Sequence, residues 1–181
     1  MAQEDLEEVI EDPLGDDDIR TYLPNAKIIK YSELSKYGKI EDLLVNDKDF
    51  CVILYEDSPN KGHWTCISRY NNILEFFDSY GGYPDSQLGW TDKETRKELH
   101  QCKTYLTDLF NKSKFKIIFN PIKYQEDGND INTCGRHCVF RILNLIRENR
   151  DLHQYYLLMQ MLKKETNETY DEIVANVINK T

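Results

Sequence analysis

Two polar residues with catalytic potential lie at the open end of a predicted β-hairpin. His63 stands at the start of one strand signal and Asp78 at the end of the next, with Asn71-Asn72 as the tight turn between them. Directly opposed residues of such a hairpin have Cβ atoms about 5 Å apart, so the imidazole and the carboxylate can meet. An imidazole oriented by a carboxylate is the arrangement of a general base. Taken singly, His63 would be an exposed strand-end residue and Asp78 a turn former.

A third reactive side chain is the thiol of Cys134, which opens an amphipathic helix after Thr133. Unpaired N–H groups and the helix dipole stabilise a thiolate at this position. Gly135 allows the backbone of a substrate to approach closely, and the amide of Gln125, nine residues before Cys134, could complete an oxyanion hole. The structural alternatives are a buried thiol at Cys134 and a solvated loop amide at Gln125.

The segment from Cys134 to Cys138 also contains residue types that bind metals. A structural zinc site needs four ligands, and the sequence has no second Cys/His pair at matching spacing, so we predict neither a metal nor another cofactor. His137 could compete as the base, but no carboxylate that would orient it is evident, which favours His63. Trp64 is either a core residue or a wall of the substrate groove.

These groups must be positioned by the surrounding helices and strands. The order of the predicted helices and strands along the chain indicates an α+β domain with a central mixed or antiparallel sheet flanked by helices. We expect strands over residues 50–55, 63–70, 73–78 and 115–119. Helices are expected over 33–37, 92–111, 152–164 and 168–180, and from Cys134 onward. Thr91 is the expected N-cap of the long helix 92–111, and Asn167 that of the last helix.

Charge divides the chain into an acidic leader, residues 1–18, and a catalytic domain, residues 19–181. The leader holds nine acids and no base, whereas the remainder holds 23 of each. A segment of this composition cannot form a core, so we expect it to be disordered or ordered only by a partner. It would act as a solubility tail, a partner-binding tail, a removable pro-segment or an inhibitory segment. The balanced domain argues against a dedicated nucleic-acid binder.

Hydropathy and cysteine content bear on the compartment. No apolar run reaches the ~18 residues that a membrane helix needs, and the acidic start argues against a secretory signal. The sequence therefore predicts no membrane association and a reducing, intracellular environment in which the five cysteines are free thiols.

The ordered set His63-Trp64, Asp78-Ser79, Gln125 and Cys134-Gly135 resembles the cysteine proteases of the adenain and ubiquitin-like-protein protease superfamily. In that superfamily the chain order is His, an acid or Asn, Gln, and then Cys at a helix start. The resemblance covers roughly residues 20–150 and is greatest to the maturation proteases of large DNA viruses, virophages and related elements. The Gln-to-Cys gap is longer than usual, and the intervening stretch 126–130 is interpreted as a loop extension.

The resemblance implies a papain-like-related adenain fold and a cysteine endopeptidase with Cys134 as nucleophile, His63 as base, Asp78 as its orienting group and Gln125 in the oxyanion hole. It also implies a groove beside Trp64 that favours glycine near the cleaved bond. The implied substrates are viral polyproteins or capsid precursors, cleaved in the virion and host cytoplasm. An activating peptide or DNA is implied too, without support from the residues. The alternatives are a ubiquitin- or SUMO-like deconjugating protease and a non-catalytic interaction module that uses the acidic leader.

Overall fold

A five-stranded mixed β-sheet forms the centre of the protein in a computed structural model, which describes residues 3–180. The strand order follows the chain, with an antiparallel β2-β3-β4 meander and a parallel strand at each edge. The strands are β1 (Lys27–Lys30), β2 (Phe50–Ser58), β3 (Lys61–Tyr70), β4 (Ile73–Phe77) and β5 (Lys116–Phe119). The α+β class with a mixed sheet is therefore confirmed.

Helices cover both faces of this sheet. The α-helices are α1 (Gln3–Glu11), α2 (Asp16–Tyr22), α3 (Ile40–Leu43), α4 (Lys93–Glu98), α5 (Tyr105–Asn111), α6 (Cys134–Glu148), α7 (Leu152–Thr166) and α8 (Tyr170–Val177). Two 3₁₀ segments, Tyr31–Lys36 and Ser86–Trp90, complete the set. Within the described range no helix is long and apolar enough to cross a bilayer.

Two apolar clusters form the core, one on each face of the sheet. β2 contributes to both, since Val52 and Leu54 face one cluster while Cys51 and Ile53 face the other. The first cluster includes residues of α6, α7 and α8, and the second includes residues of the first 3₁₀ segment, α3 and α5. The continuous apolar run of β2 is thus that of a strand buried on both faces, as its sequence predicts.

The predicted helix over 92–111 is wrong, because the chain breaks between α4 and α5. His100 takes a left-handed conformation with φ of 57°, and the amide of Gln101 then forms two hydrogen bonds with the backbone of Glu56, at 3.0 and 2.7 Å. The buried N–H and C=O groups of Glu56 in β2 need hydrogen-bond partners, and the Gln101 side chain reaches them because the chain leaves the helix after α4. Asp92, rather than Thr91, caps α4 through its side chain.

Two further details differ from the sequence expectations. Asn167 ends α7 in a left-handed conformation, and Thr169 caps α8 in a capping box with Glu172. The sequence does not predict the four-residue strand β1, because Lys27-Ile28-Ile29-Lys30 is too short to show a clear alternation of apolar and polar residues.

The acidic leader also differs from the expectation of disorder, although residues 1 and 2 lie outside the described part. Helix α1 packs against α8, and Ile19 of α2 is fully buried. Between the two helices, Leu14 is only 2% exposed, and Arg136 donates to the carbonyl of Asp12 at 2.5 Å. A few apolar anchors and backbone hydrogen bonds to the domain order this segment despite its charge.

Candidate active site

His63 and Asp78 meet at the end of the hairpin formed by β3 and β4. The His63 Nε2 atom lies 2.7 Å from Asp78 Oδ1. The last paired residues of the ladder are Cys66 and Phe77, so Asp78 lies just past the ladder and His63 reaches it diagonally rather than from the directly opposed position. The contact expected from the hairpin is therefore present in a shifted register.

The carboxylate of Asp78 is fully buried and held by three donors. Besides His63, the amide of Gln87 donates to Oδ2 at 2.6 Å and the Tyr80 N–H to Oδ1 at 2.9 Å. Burial by itself would raise the pKa of Asp78, but the hydrogen bonds and the charge of His63 outweigh it and hold this pKa below its ordinary value. Gly82 gives this network room, since a Cβ there would lie 2.7 Å from Asp78 Oδ2.

Two aromatic rings fix the plane of the His63 imidazole. Tyr80 stacks on it with ring centroids 5.1 Å apart, and Trp90 meets it edge-on, also at 5.1 Å. Sequence reasoning identified neither these rings nor Gln87, because nothing in the local pattern distinguishes them from other loop residues.

Cys134 is the first residue of α6, as predicted, and is 7% exposed. Burial raises the pKa of its thiol, but the hydrogen bond and charge of His63, with the N–H groups of Trp64 and Gly135, outweigh burial and lower this pKa. The Trp64 N–H lies 3.5 Å from the sulfur.

The imidazole of His63 shows the reciprocal effect. Burial would lower its pKa, but hydrogen bonds and charge from Asp78 and Cys134 raise the pKa of His63 to about 10. Since Nε2 is bonded to Asp78, Nδ1 is the nitrogen available to the thiol. The two shifts favour the charged form of each group, the imidazolium and the thiolate.

Gln125 is buried and fixed at both ends of its amide. Its Oε1 accepts from the Ser79 hydroxyl at 2.8 Å, and its Nε2 donates to the carbonyl of Ile131 at 3.0 Å. One N–H of the amide therefore remains for another acceptor. With an exposure of 2%, Gln125 does not fit the alternative of a solvated loop residue.

Trp64 and Gly135 contact the N-terminal segment. The Trp64 indole donates to the carbonyl of Leu14 at 2.9 Å. A Cβ at Gly135 would lie 3.1 Å from the Cβ of Leu14 and 3.2 Å from Cδ1 of Trp64. The group that approaches Gly135 in the structure is thus Leu14, where the sequence predicts a substrate backbone.

Two cavities open beside these residues. One of about 540 Å³ is lined by Leu14, Gly62 and Trp64, among others. A second of about 420 Å³ is lined by Tyr80, Trp90, Lys123 and Asp127. The first cavity involves both neighbours of His63 in β3, and the second involves both rings that contact its imidazole.

A second buried His–Asp pair joins α6 to α8. His137 Nε2 is 3.0 Å from Asp171 Oδ1, so His137 does have a carboxylate partner, contrary to the sequence interpretation. This partner comes from α8, where no local pattern could reveal it. Across residues 3–180, no three His, Cys, Asp or Glu side chains gather as a metal site.

The fold and the site define an α+β protein with a buried Cys134–His63–Asp78 constellation. No family model matches the sequence. The uncharacterized protein V9 of Sputnik virophage is 37% identical over 166 residues, which cover 91% of this chain and 93% of V9. The chain belongs to the same family as this virophage protein.

Several solved structures are similar in fold, at low sequence identity. The ASFV pS273R protease is 12% identical with a TM-score of 0.48, covering 93% of this chain and 67% of that one. The SUMO protease Ulp1 is 14% identical with a TM-score of 0.43, covering 98% and 87%. The central domain of the uncharacterized Lpg1148 protein from Legionella pneumophila is 17% identical with a TM-score of 0.42, covering 91% and 99%.

Proposed function

We propose that the protein is a cysteine endopeptidase with Cys134 as nucleophile and His63 as general base and acid. The observation that carries this proposal is the hydrogen bond of 2.7 Å between the His63 imidazole and the buried carboxylate of Asp78, beside a Cys134 thiol whose pKa His63 lowers. Asp78 fixes the orientation of the ring and favours its protonated form, and this in turn stabilises the thiolate.

In the acylation step, the Cys134 sulfur attacks the carbonyl carbon of the cleaved bond and a C–S bond forms. The C–N bond then breaks while the His63 imidazolium transfers its proton to the departing amine. A water molecule, deprotonated by the now neutral imidazole, attacks the thioester carbonyl. The C–S bond breaks, the carboxylic acid leaves and the imidazolium–thiolate pair is restored.

The negative charge that forms on the carbonyl oxygen needs donors near Cys134. We assign this role to the amide of Gln125 and the backbone N–H of Cys134, which is one of the four unpaired N–H groups at the start of α6. Ser79 supports Gln125 in this role, because its hydroxyl binds Oε1 and so directs the NH₂ group away from itself.

The substrate is proposed to be a protein segment that extends across Cys134 between the two cavities. Following the resemblance described above, we propose that it is a viral polyprotein or capsid precursor, cleaved near glycine during virion maturation in the virion and host cytoplasm. The virophage origin of V9 supports a viral role. Trp64 is proposed to form the wall of the groove, together with Leu14.

The test compares wild type with Cys134→Ala and with Cys102→Ala, which removes the exposed thiol. We expect iodoacetamide near neutral pH to label Cys134 much faster than Cys102, and a capsid precursor to be cleaved by wild type and Cys102→Ala but not by Cys134→Ala. Equal labelling together with activity in Cys134→Ala would refute the protease proposal. Cleavage of a ubiquitin-like fusion but not of the precursor would instead support deconjugation and refute a maturation role.

A further inference from the structure

Asp171 lies on α8, and its side chain joins two segments of the proposed active site. It is 2% exposed, and its Oδ2 accepts from the backbone N–H of Glu126 at 2.9 Å. Its Oδ1 accepts from the Thr133 hydroxyl and lies 3.0 Å from His137 Nε2. A single buried carboxylate therefore holds both ends of the loop over residues 126–132.

The first of these contacts acts on Gln125. Glu126 follows it directly, and the Gln125 N–H and side chain are already bound to Ser79. Fixing the next N–H leaves the backbone of Gln125 little freedom to rotate, so its amide keeps one direction. Gln125 and Cys134 are nine residues apart, so the loop between them is too long to fix the Gln125 amide by its length alone. The hydrogen bond between Asp171 and Glu126 fixes the start of the loop instead.

The second contact acts on the start of α6. Thr133 is the N-cap residue, yet its side chain makes no capping hydrogen bond to the helix. A free Thr hydroxyl at this position would accept from an N–H of the first turn. Because Asp171 accepts a hydrogen bond from the Thr133 hydroxyl, this hydroxyl points away from the helix. The N–H groups near Cys134 therefore remain available for the oxyanion and the thiolate.

We propose that Asp171 is a positioning residue that aligns the two donors of the oxyanion hole, the amide of Gln125 and the N–H groups at the start of α6. The proposal rests on the function proposed above and adds to it a buried charge from the C-terminal helix. A charged side chain suits this role. Burial raises the pKa of Asp171, but His137 and Thr133 outweigh burial and lower this pKa, so the carboxylate stays ionised. In this form it can accept hydrogen bonds from Glu126, Thr133 and His137.

Asp171→Asn tests this role, because it keeps the size of the side chain and removes acceptor capacity. Glu75→Gln is the matched control, since Glu75 is a 1% exposed carboxylate that binds Arg141 on α6 and belongs to no part of the proposed site. Loss of one oxyanion donor typically lowers kcat by about 100-fold or more. For Asp171→Asn we expect roughly this loss, with KM changed less than about threefold, while iodoacetamide still labels Cys134 within about threefold of wild type.

Amide hydrogen exchange over residues 125–134 is measured on the same variants and does not depend on turnover. We expect it to accelerate in Asp171→Asn and to remain as in wild type in Glu75→Gln. Unchanged exchange in Asp171→Asn, or an equal kcat loss in Glu75→Gln, would overturn the inference. If wild type cleaves neither a peptide nor an activated ester while exchange responds as expected, the proposed function fails and the positioning by Asp171 stands.

Discussion

Replacing Asp78 with asparagine measures how strongly this carboxylate favours the imidazolium–thiolate pair. The pKa of His63 is raised from 6.5 to about 10. At about 1.36 kcal/mol per pKa unit, the imidazolium is favoured by on the order of 5 kcal/mol, to which Asp78 and Cys134 both contribute. If each supplies about half, loss of the Asp78 charge weakens the pair by ~2.5 kcal/mol, or roughly 70-fold.

The assay follows alkylation of Cys134 by iodoacetamide as a function of pH. Because His63 keeps its proton up to about pH 10 and the thiol pKa is lowered, the wild-type rate should be nearly constant from neutral pH into the alkaline range. In Asp78→Asn we expect a lower rate at pH 7, reduced by at most roughly 70-fold. The rate should then rise with pH towards the ordinary thiol pKa of about 8.5.

Two controls separate this effect from unfolding and from reagent chemistry. Cys102 is exposed, so its alkylation in the same sample gives an internal reference. Asp49→Asn alters a carboxylate that accepts from the Asn46 N–H at the opposite end of the β2–β3 ladder, and should leave the Cys134 profile as in wild type. A folded Asp78→Asn variant whose alkylation rate has the same pH profile as that of wild type would contradict the reasoning.

Two further changes test the residues that surround the proposed active site, at Gly82 and in the N-terminal segment. Gly82→Ala would put a Cβ 2.7 Å from the Asp78 carboxylate, so we expect a loss of about 1–3 kcal/mol in unfolding free energy and roughly tenfold in kcat/KM. Gly89→Ala, with no neighbour within 4 Å, is its control in chemical denaturation. Deleting residues 1–15 removes the buried Leu14, which costs roughly 1.5–3 kcal/mol and lowers Tm by about 3–12 °C. Turnover should fall as well, whereas a rise would show that the segment is inhibitory.

The features that could be read from the sequence depend on residues close together along the chain. Asn71-Asn72 sets a tight turn, and a tight turn fixes which residues of the two strands meet, so the approach of His63 to Asp78 followed from a local signal. The placement of Cys134 at a helix start followed similarly, from the apolar period that begins after Thr133.

The errors arose where a distant contact outweighed a local preference. The periodic stretch 92–111 favours one helix, but two hydrogen bonds between the side-chain amide of Gln101 and the backbone of Glu56 interrupt it. The leader has the composition of a disordered tail, but it is ordered because Leu14 reaches the core and helix α1 packs against α8. Tertiary burial outweighs propensity in both cases, since propensities amount to only a fraction of a kcal/mol per residue.

The sequence by itself determined the α+β class, the hairpin with its His63–Asp78 contact and the helix that begins at Cys134, because each depends on a short-range pattern of turns and apolar residues. Only the tertiary structure decided what surrounds them: Gln87 behind Asp78, Leu14 against Gly135, and Asp171 at both ends of the loop before the nucleophile. No local signal marks these residues, because what makes each of them important is its burial beside a group that only the complete fold brings near.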